Sequence, residues 1–138
     1  MNYTREEIMN MDGQALNRAV AEQVMGYTIY HYDKDYEENC YFMLMNDEFD
    51  PVEPLDGRRK TEEEAWNDCP DFSGSISAAW EVVEKIGETW EVKVFNRNGW
   101  TCYISSSLDE GYNYRETGDT APLAICRTAL LATMEETP

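Results

Sequence analysis

Apolar residues spaced three or four apart predict that this chain begins with two consecutive helices. Thr4 and Glu7 form a capping box, and a second helix start at Asp12 follows a break near residue 10. After this start an apolar residue recurs at every fourth position, at Leu16, Val20 and Val24. Gly26 then predicts the end of the helix. We therefore expect a short helix followed by an amphipathic one.

Two further helices are predicted nearer the C-terminus. Ser75 or Ser77 can cap a helix over residues 76–86, and a glycine follows it. The apolar stripe of this helix, which we expect to pack in the core, consists of Ile76, Ala79, Trp80, Val83 and Ile86. The almost wholly apolar residues 121–132 predict the last helix, with Thr120 as its cap.

Strands are predicted between these helices. Residues 27–32 and 40–45 are rich in aromatic and apolar side chains. Residues 90–104 alternate between apolar and polar on both sides of Asn98 and Gly99, which is typical of a hairpin with a two-residue turn. Three polar segments are expected to be loops: 33–39, 46–75 and 105–119.

The order helix, two strands, helix, hairpin, helix predicts an α+β fold. We expect one domain over residues 1–138, with an antiparallel or mixed sheet sandwiched between helices in α/β/α layers. The loop at residues 46–75 is unusually long, and its only large anchors are Trp66 and Phe72. Loops of this length are usually functional or mobile.

The charge of the chain limits its partners. It has 28 acidic and 11 basic residues, a formal net charge of -17. Such a chain repels nucleic-acid phosphates over most of its surface, so an anionic ligand needs a local basic pocket. The only basic cluster is Arg58, Arg59 and Lys60, which is either a solvated turn or a phosphate clamp.

The four cysteines, Cys40, Cys69, Cys102 and Cys126, show no metal-ligand spacing. We see no hydrophobic N-terminal segment typical of a signal peptide and no membrane span. We therefore expect reduced thiols in a cytoplasm, with a disulfide pair as the less favoured alternative.

The sequence offers little for catalysis. The single His31 has no cysteine or second histidine near it along the chain. The acidic residues at 33, 35 and 37 imitate the start of a calcium loop, but Glu38 and Leu44 occupy positions that require Gly and Glu. No common phosphate-binding or nucleophile motif is present. We therefore predict a binding protein, with no enzymatic activity, metal or cofactor.

Two features are compatible with ligand binding. Trp100 follows the predicted hairpin turn and can stack on a base, with the amides of Asn96 and Asn98 beside it, or it can be an ordinary cross-strand aromatic. Arg127 lies among the hydrophobic residues of the last helix. Because burying a lone cation is costly, Arg127 must reach water, pair with a carboxylate, or face an anion.

Three segments resemble the phage ABA-sandwich domain proteins. They are residues 4–8 (TREEI) with 16–26 (LNRAVAEQVMG), residues 76–86 (ISAAWEVVEKI) and residues 121–132 (APLAICRTALLA). Within that family, the chain resembles the phage Thoeris anti-defence proteins. These act as sponges that bind the cyclic ADP-ribose isomer made by bacterial TIR-domain enzymes and hold it without degrading it.

The resemblance implies a site and a setting. It implies that Arg127, in the matching C-terminal segment, holds phosphate, and that Trp100 stacks on adenine beside Asn96 and Asn98. The other candidate ligand-binding residues are Arg115, Arg58 and Arg59. It further implies cyclic ADP-ribose or a cyclic oligonucleotide as ligand, a homodimer or a hexamer built from dimers, and the host bacterial cytoplasm as location.

Two other functions remain open at this point. An acidic inhibitor or DNA mimic would bind a basic host defence enzyme, and salt would weaken that binding because exposed charge pairs are screened. A nucleotide-degrading enzyme would change the mass of its ligand, whereas a sponge would return the ligand intact.

Overall fold

The computed structural model describes residues 3–33, 40–106 and 113–135. Within these ranges the chain forms five helices and five strands. In chain order they are α1 (Arg5–Asn10), α2 (Gly13–Gln23), β1 (Thr28–Tyr32), β2 (Tyr41–Met45), α3 (Glu62–Trp66), α4 (Ile76–Gly87), β3 (Trp90–Asn96), β4 (Trp100–Ser106), β5 (Asn113–Gly118) and α5 (Ala121–Glu135). The predicted α+β class is confirmed.

The strands form two separate antiparallel sheets, where the sequence predicted one sheet. β1 pairs with β2, and β3, β4 and β5 form a three-stranded sheet in that order. β5 lies within residues 105–119, which were predicted to be a loop. That prediction was wrong because the inner face of β5 carries Tyr114 and Glu116, a pair that shows no apolar alternation in the sequence.

The last helix, α5, is the centre of the core. One side packs against the three-stranded sheet, and α1, α2 and α4 pack against its other sides. Its fully buried side chains are therefore spread around the helix, and they include Ala124, Cys126, Thr128, Ala129 and Leu130. The predicted cap is confirmed, since the hydroxyl of Thr120 accepts a hydrogen bond from the backbone N–H of Leu123.

The helix starts at the N-terminus are also as predicted. Thr4 and Glu7 form a capping box at α1, and Asp12 accepts a hydrogen bond from the N–H of Ala15 at α2. At α4 the cap is Ser75. The predicted core positions of Ile76 and Trp80 are wrong, because these side chains are 55% and 51% exposed. α4 is rotated so that its buried residues are Ala79, Val82 and Ile86.

The segment 46–75 is better anchored than a simple loop. It contains the short helix α3, and isolated bridges join Arg59 to Phe42 and Pro51 to Met45. Phe72 is fully buried in the core, with its ring 6.0 Å from that of Tyr27. This segment therefore continues the packing of the β1–β2 sheet. None of the helices in the described ranges is long and apolar enough to cross a bilayer.

Two of the four cysteines, Cys102 and Cys126, are buried, and Cys40 and Cys69 are half-buried. Burial raises the pKa of Cys69 to about 12 and of Cys102 to about 11, and it also raises the pKa of Cys126. Because the thiolate is the nucleophile, we expect native protein at neutral pH to react with iodoacetamide at these sites far more slowly than urea-unfolded protein. Site-resolved mass spectrometry measures both rates, and equal rates would contradict the prediction.

The same pKa shifts determine whether the free energy of unfolding rises or falls with pH. A thiol whose pKa is higher in the folded than in the unfolded chain stabilises the fold below the unfolded pKa, and this contribution is lost as pH rises towards the folded pKa. The pKa of Tyr27 is raised to about 12, chiefly by burial, and acts in the same direction. The free energy of unfolding should therefore fall from about pH 9 upwards.

Gly118, at the end of β5, touches the first turn of α5. A Cβ at this position would lie 2.8 Å from the backbone nitrogen of Ala124. We expect Gly118→Ala to lower the free energy of unfolding by about 1–3 kcal/mol, because backbone must shift to admit the methyl group. Gly87→Ala is the matched control, since no atom lies within 4 Å of a Cβ there. Urea unfolding of both variants tests this, and equal effects would contradict it.

Candidate ligand-binding site

The β3–β4 turn brings three of the predicted site residues together. Asn98 and Gly99 have positive φ angles of 57° and 118°, the left-handed conformations that this sequence pair favours. The side-chain oxygen of Asn96 accepts a hydrogen bond from the N–H of Gly99 at 3.3 Å, so part of the Asn96 amide holds the turn. Asn98 is exposed. Both amides therefore lie within a few residues of Trp100 at the same end of the sheet.

Trp100 lies at the first position of β4. Its backbone is paired with Asn96 on one side and with Gly118 on the other. The side chain is half-buried and packs against the hydrophobic core. Only the remaining part of the ring is open to a ligand, so Trp100 can stack on a base over part of its surface.

Arg127, which lies on α5, contacts β5 and the last turn of α1 at this end of the sheet. Its Nη1 donates to the carbonyl of Thr117 at 2.9 Å, and its Nη2 donates to the carbonyl of Met9 at 3.2 Å. The Nε–H is buried and has no hydrogen-bond partner among the described residues. Thr117 precedes Gly118, which pairs with Trp100. Arg127 and Trp100 therefore each contact one of the last two residues of β5.

Arg115 lies on the opposite face of the same sheet. It is exposed, and it is directly cross-strand from Tyr103, which in turn is paired with Lys93. Because successive side chains alternate between the faces of a strand, Arg115 does not share a face with Trp100. Within one chain, a ligand lying on Trp100 is therefore separated from Arg115 by the sheet.

Arg58 and Arg59 belong to a different region, beside the β1–β2 sheet. Arg59 bonds the carboxylate of Asp68 at 2.9 Å, and this hydrogen bond raises the pKa of Arg59. Arg58 lies 4.0 Å from Asp56, with its guanidinium 5.9 Å from the ring centre of Tyr41. The side-chain hydrogen bonds of Arg59 remain within the segment 56–68, and its backbone pairs with Phe42 of β2, so a single chain does not bring these arginines to Trp100.

The ion pairs show where a net positive site remains. Six basic residues of the described ranges pair with a carboxylate: Arg5, Arg18, Arg58, Arg59, Lys85 and Lys93. Four others in these ranges make no ion pair: Lys60, Arg97, Arg115 and Arg127. Arg97 lies in the β3–β4 turn, Arg115 on the outer face of β5 and Arg127 on α5. In so acidic a chain, an anion at this end of the sheet therefore meets positive charge from Arg97 and Arg127 that no described carboxylate pairs with.

Two arginines near this site were not among the predicted ligand-binding residues. Arg97 lies in the turn beside Asn96 and Asn98, and its position before Trp100 was the available signal. Arg5 bonds the buried carboxylate of Glu116 through two nitrogens, with Nη2 at 2.9 Å, and this pairing raises the pKa of Arg5. No sequence signal links residues 5 and 116, because only the packing of α1 against α5 brings them together.

The arrangement is suited to holding a ligand. It offers two amides, part of an indole ring and a guanidinium that pairs with no carboxylate among the residues the structure describes. His31 lies on the other sheet, stacked on Phe42 with ring centres 4.2 Å apart. In the residues that the structure describes, no three His, Cys, Asp or Glu side chains are grouped closely enough to hold a metal ion.

Comparison with known proteins identifies a similar solved structure and a family. A solved structure, the 2.0 Å crystal structure of a phage protein from Bacillus cereus ATCC 14579, superposes with a TM-score of 0.54 and 23% sequence identity, over 89% of this chain and 88% of the other. No curated protein sequence matches the chain. The family model of the Phage ABA sandwich domain matches residues 18–130. The chain therefore belongs to the phage ABA sandwich domain family.

Proposed function

We propose that this protein is a phage anti-defence sponge. It binds a cyclic nucleotide immune signal, a cyclic ADP-ribose isomer or a cyclic oligonucleotide, in the cytoplasm of the host bacterium and holds it without degrading it. Family membership supports a phage setting. The observation that carries the proposal is the position of Arg127, a guanidinium that no carboxylate of the described ranges pairs with, at the end of the sheet that carries Trp100.

Each group has a role that follows from its chemistry. Arg127 binds a phosphate through the N–H groups that its two carbonyl contacts leave free, since a guanidinium suits phosphate geometry better than an ammonium does. Trp100 stacks on the base over the part of the ring outside the core, a contact of about 1–3 kcal/mol. Asn98 supplies a polar edge, and Arg97 adds positive charge beside it.

Other predicted arginines enter this proposal through a second chain. Arg115 and Trp100 lie on opposite faces of the sheet, and Arg58 and Arg59 lie beside the other sheet. A homodimer, or a hexamer built from dimers, can place an arginine of one copy beside the Trp100 of another. In such an assembly the ligand is enclosed between chains, which slows its release.

The test is retention of an intact signal. Purified protein is incubated with an extract from cells with an activated TIR-type defence system, separated from free small molecules and heated. Mass spectrometry of the released material is expected to find a cyclic ADP-ribose species with unchanged mass. An empty protein beside unchanged signal in the filtrate would overturn the proposal, and a ligand of altered mass would show an enzyme.

A further inference from the structure

A groove runs along the outward side of α2, away from the three-stranded sheet. Its first part is a pocket of about 390 Å³ between α2 and α3, with Trp66 and Asn67 in its wall. A second pocket, of about 290 Å³, lies beside it and is lined by Tyr3 and Met11 among others. The two pockets are neighbours, since Ala15 and Arg18 line both.

The groove continues past α1. A third depression, of about 470 Å³, shares Tyr3 and Met11 with the second pocket. Its other lining residues are Glu6, Glu7 and Asn10. The three concavities together, which we call the α2 groove, give an elongated surface. That shape suits an extended chain better than a compact small molecule.

The α2 groove is acidic along its whole length. Its carboxylates are Glu6, Glu7, Asp12, Glu22 and Glu63. Among the described residues, the single cation lining the three pockets is Arg18, which already pairs with Glu22 and Glu63. Glu6, Glu7 and Asp12 make no ion pair within the described part of the chain. The groove therefore repels a phosphate-bearing ligand and attracts a cationic one.

Arg18 shows how the groove holds a guanidinium. Its central carbon lies 4.7 Å from the ring centre of Trp66, and its Nε and Nη1 donate to Glu22 at 3.1 Å and to Glu63 at 3.4 Å. This is an aromatic face combined with carboxylates, the chemistry that recognises arginine and lysine. Trp66, which lines this wall, is 8% exposed, and its indole Nε1 is buried without a hydrogen-bond partner in the described ranges.

We propose that the α2 groove binds an extended basic segment of another protein. Arginine or lysine side chains of that segment lie opposite Glu6, Glu7 and Asp12, and its apolar side chains pack on Tyr3, Met11 and Ala15. None of the residues that line the groove belongs to β3, β4, β5 or α5. The proposal is therefore independent of the sponge site and fails or succeeds separately from it.

The first test compares two double variants that remove the same charge. The probe is a fluorescein-labelled synthetic peptide of alternating arginine and leucine, titrated at about 150 mM salt, where general surface attraction is largely screened. Glu6→Gln with Asp12→Asn removes two groove carboxylates and keeps a capping side chain at α2. Glu84→Gln with Glu88→Gln removes two carboxylates at the exposed face and C-terminal end of α4.

We expect the groove double variant to raise the Kd of the peptide about fivefold, and the α4 double variant to change it less than about twofold. Equal weakening by the two variants would show attraction to the net charge alone and would overturn the proposal. Absence of binding by the unmodified protein under these conditions would also overturn it.

In the second test we expect a gain in affinity for the peptide, which a misfolded variant would not show. Arg18→Met removes the guanidinium that occupies the face of Trp66 and leaves Glu22 and Glu63 free for the peptide. We expect the peptide to bind more tightly to this variant than to Lys93→Met, which removes one cation from the three-stranded sheet. An equal gain in the two variants would contradict recognition by the groove.

Discussion

Replacing Phe72 by alanine is expected to lower the free energy of unfolding by about 3–5 kcal/mol. The side chain is fully buried, and its ring lies edge-on to Tyr27 with centres 6.0 Å apart. Together with Ser73, whose N–H and hydroxyl donate to Asn17 and Gly13, it attaches the chain between α3 and α4 to the core. Truncation therefore leaves a cavity in the core and weakens the attachment of this segment. Urea unfolding followed by circular dichroism measures the change.

Two further substitutions make this prediction specific. Phe72→Leu keeps most of the buried volume and should cost clearly less than Phe72→Ala. Phe49→Ala removes the same ring from a side chain that is 59% exposed and should change the free energy of unfolding by less than about 1 kcal/mol. A similar loss for Phe72→Ala and Phe49→Ala would show that Phe72 does not anchor the segment.

The position of Phe72 illustrates what the sequence predicted of this fold. Local chemistry was sufficient for the helix starts, because Thr4, Asp12 and Ser75 act on N–H groups only three residues away. It was also sufficient for the β3–β4 hairpin, whose turn depends on Asn98 and Gly99. Phe72 and Trp66 were identified as the large anchors of a polar segment, and both are buried.

The predictions from sequence were wrong where contacts with distant parts of the chain determine the structure. β5 is held by pairing with β4 and by the contact of Thr128 with the N–H of Glu116, so its polar sequence gave no strand signal. α3 is only one turn long and was included in the predicted loop. Trp80 lies on the apolar side of α4 but outside the part covered by α5 and β3.

The candidate site likewise has one part that could be predicted from the sequence and one part that could not. The hairpin that carries Asn96, Asn98 and Trp100 was predictable, because one turn places all three. The surroundings of Arg127 were not, since its partners Met9 and Thr117 come from distant parts of the chain. A buried cation could be predicted to need a partner, but only the fold shows that backbone carbonyls supply two of the contacts.

Arg127→Ala is expected to raise the Kd for a retained cyclic nucleotide by about 10–100-fold, the range expected for loss of a hydrogen-bonded charge. In the heat-release assay this corresponds to loss of capture. Lys60→Ala is the matched control, because Lys60 also lacks a carboxylate partner in the described ranges but lies away from the three-stranded sheet. It should retain the ligand as the unmodified protein does.

The same substitution also removes two hydrogen bonds to carbonyls, so stability must be measured beside binding. We expect Arg127→Ala to lower the free energy of unfolding by about 1–3 kcal/mol and to remain folded, since domains of this size have about 5–15 kcal/mol. Arg127→Lys keeps the charge but cannot reproduce both carbonyl contacts and a bidentate phosphate contact, so its binding should also be weak. A folded Arg127→Ala protein that retains the ligand would place the phosphate elsewhere. An unfolded one would make Arg127 a structural residue that links α1, β5 and α5.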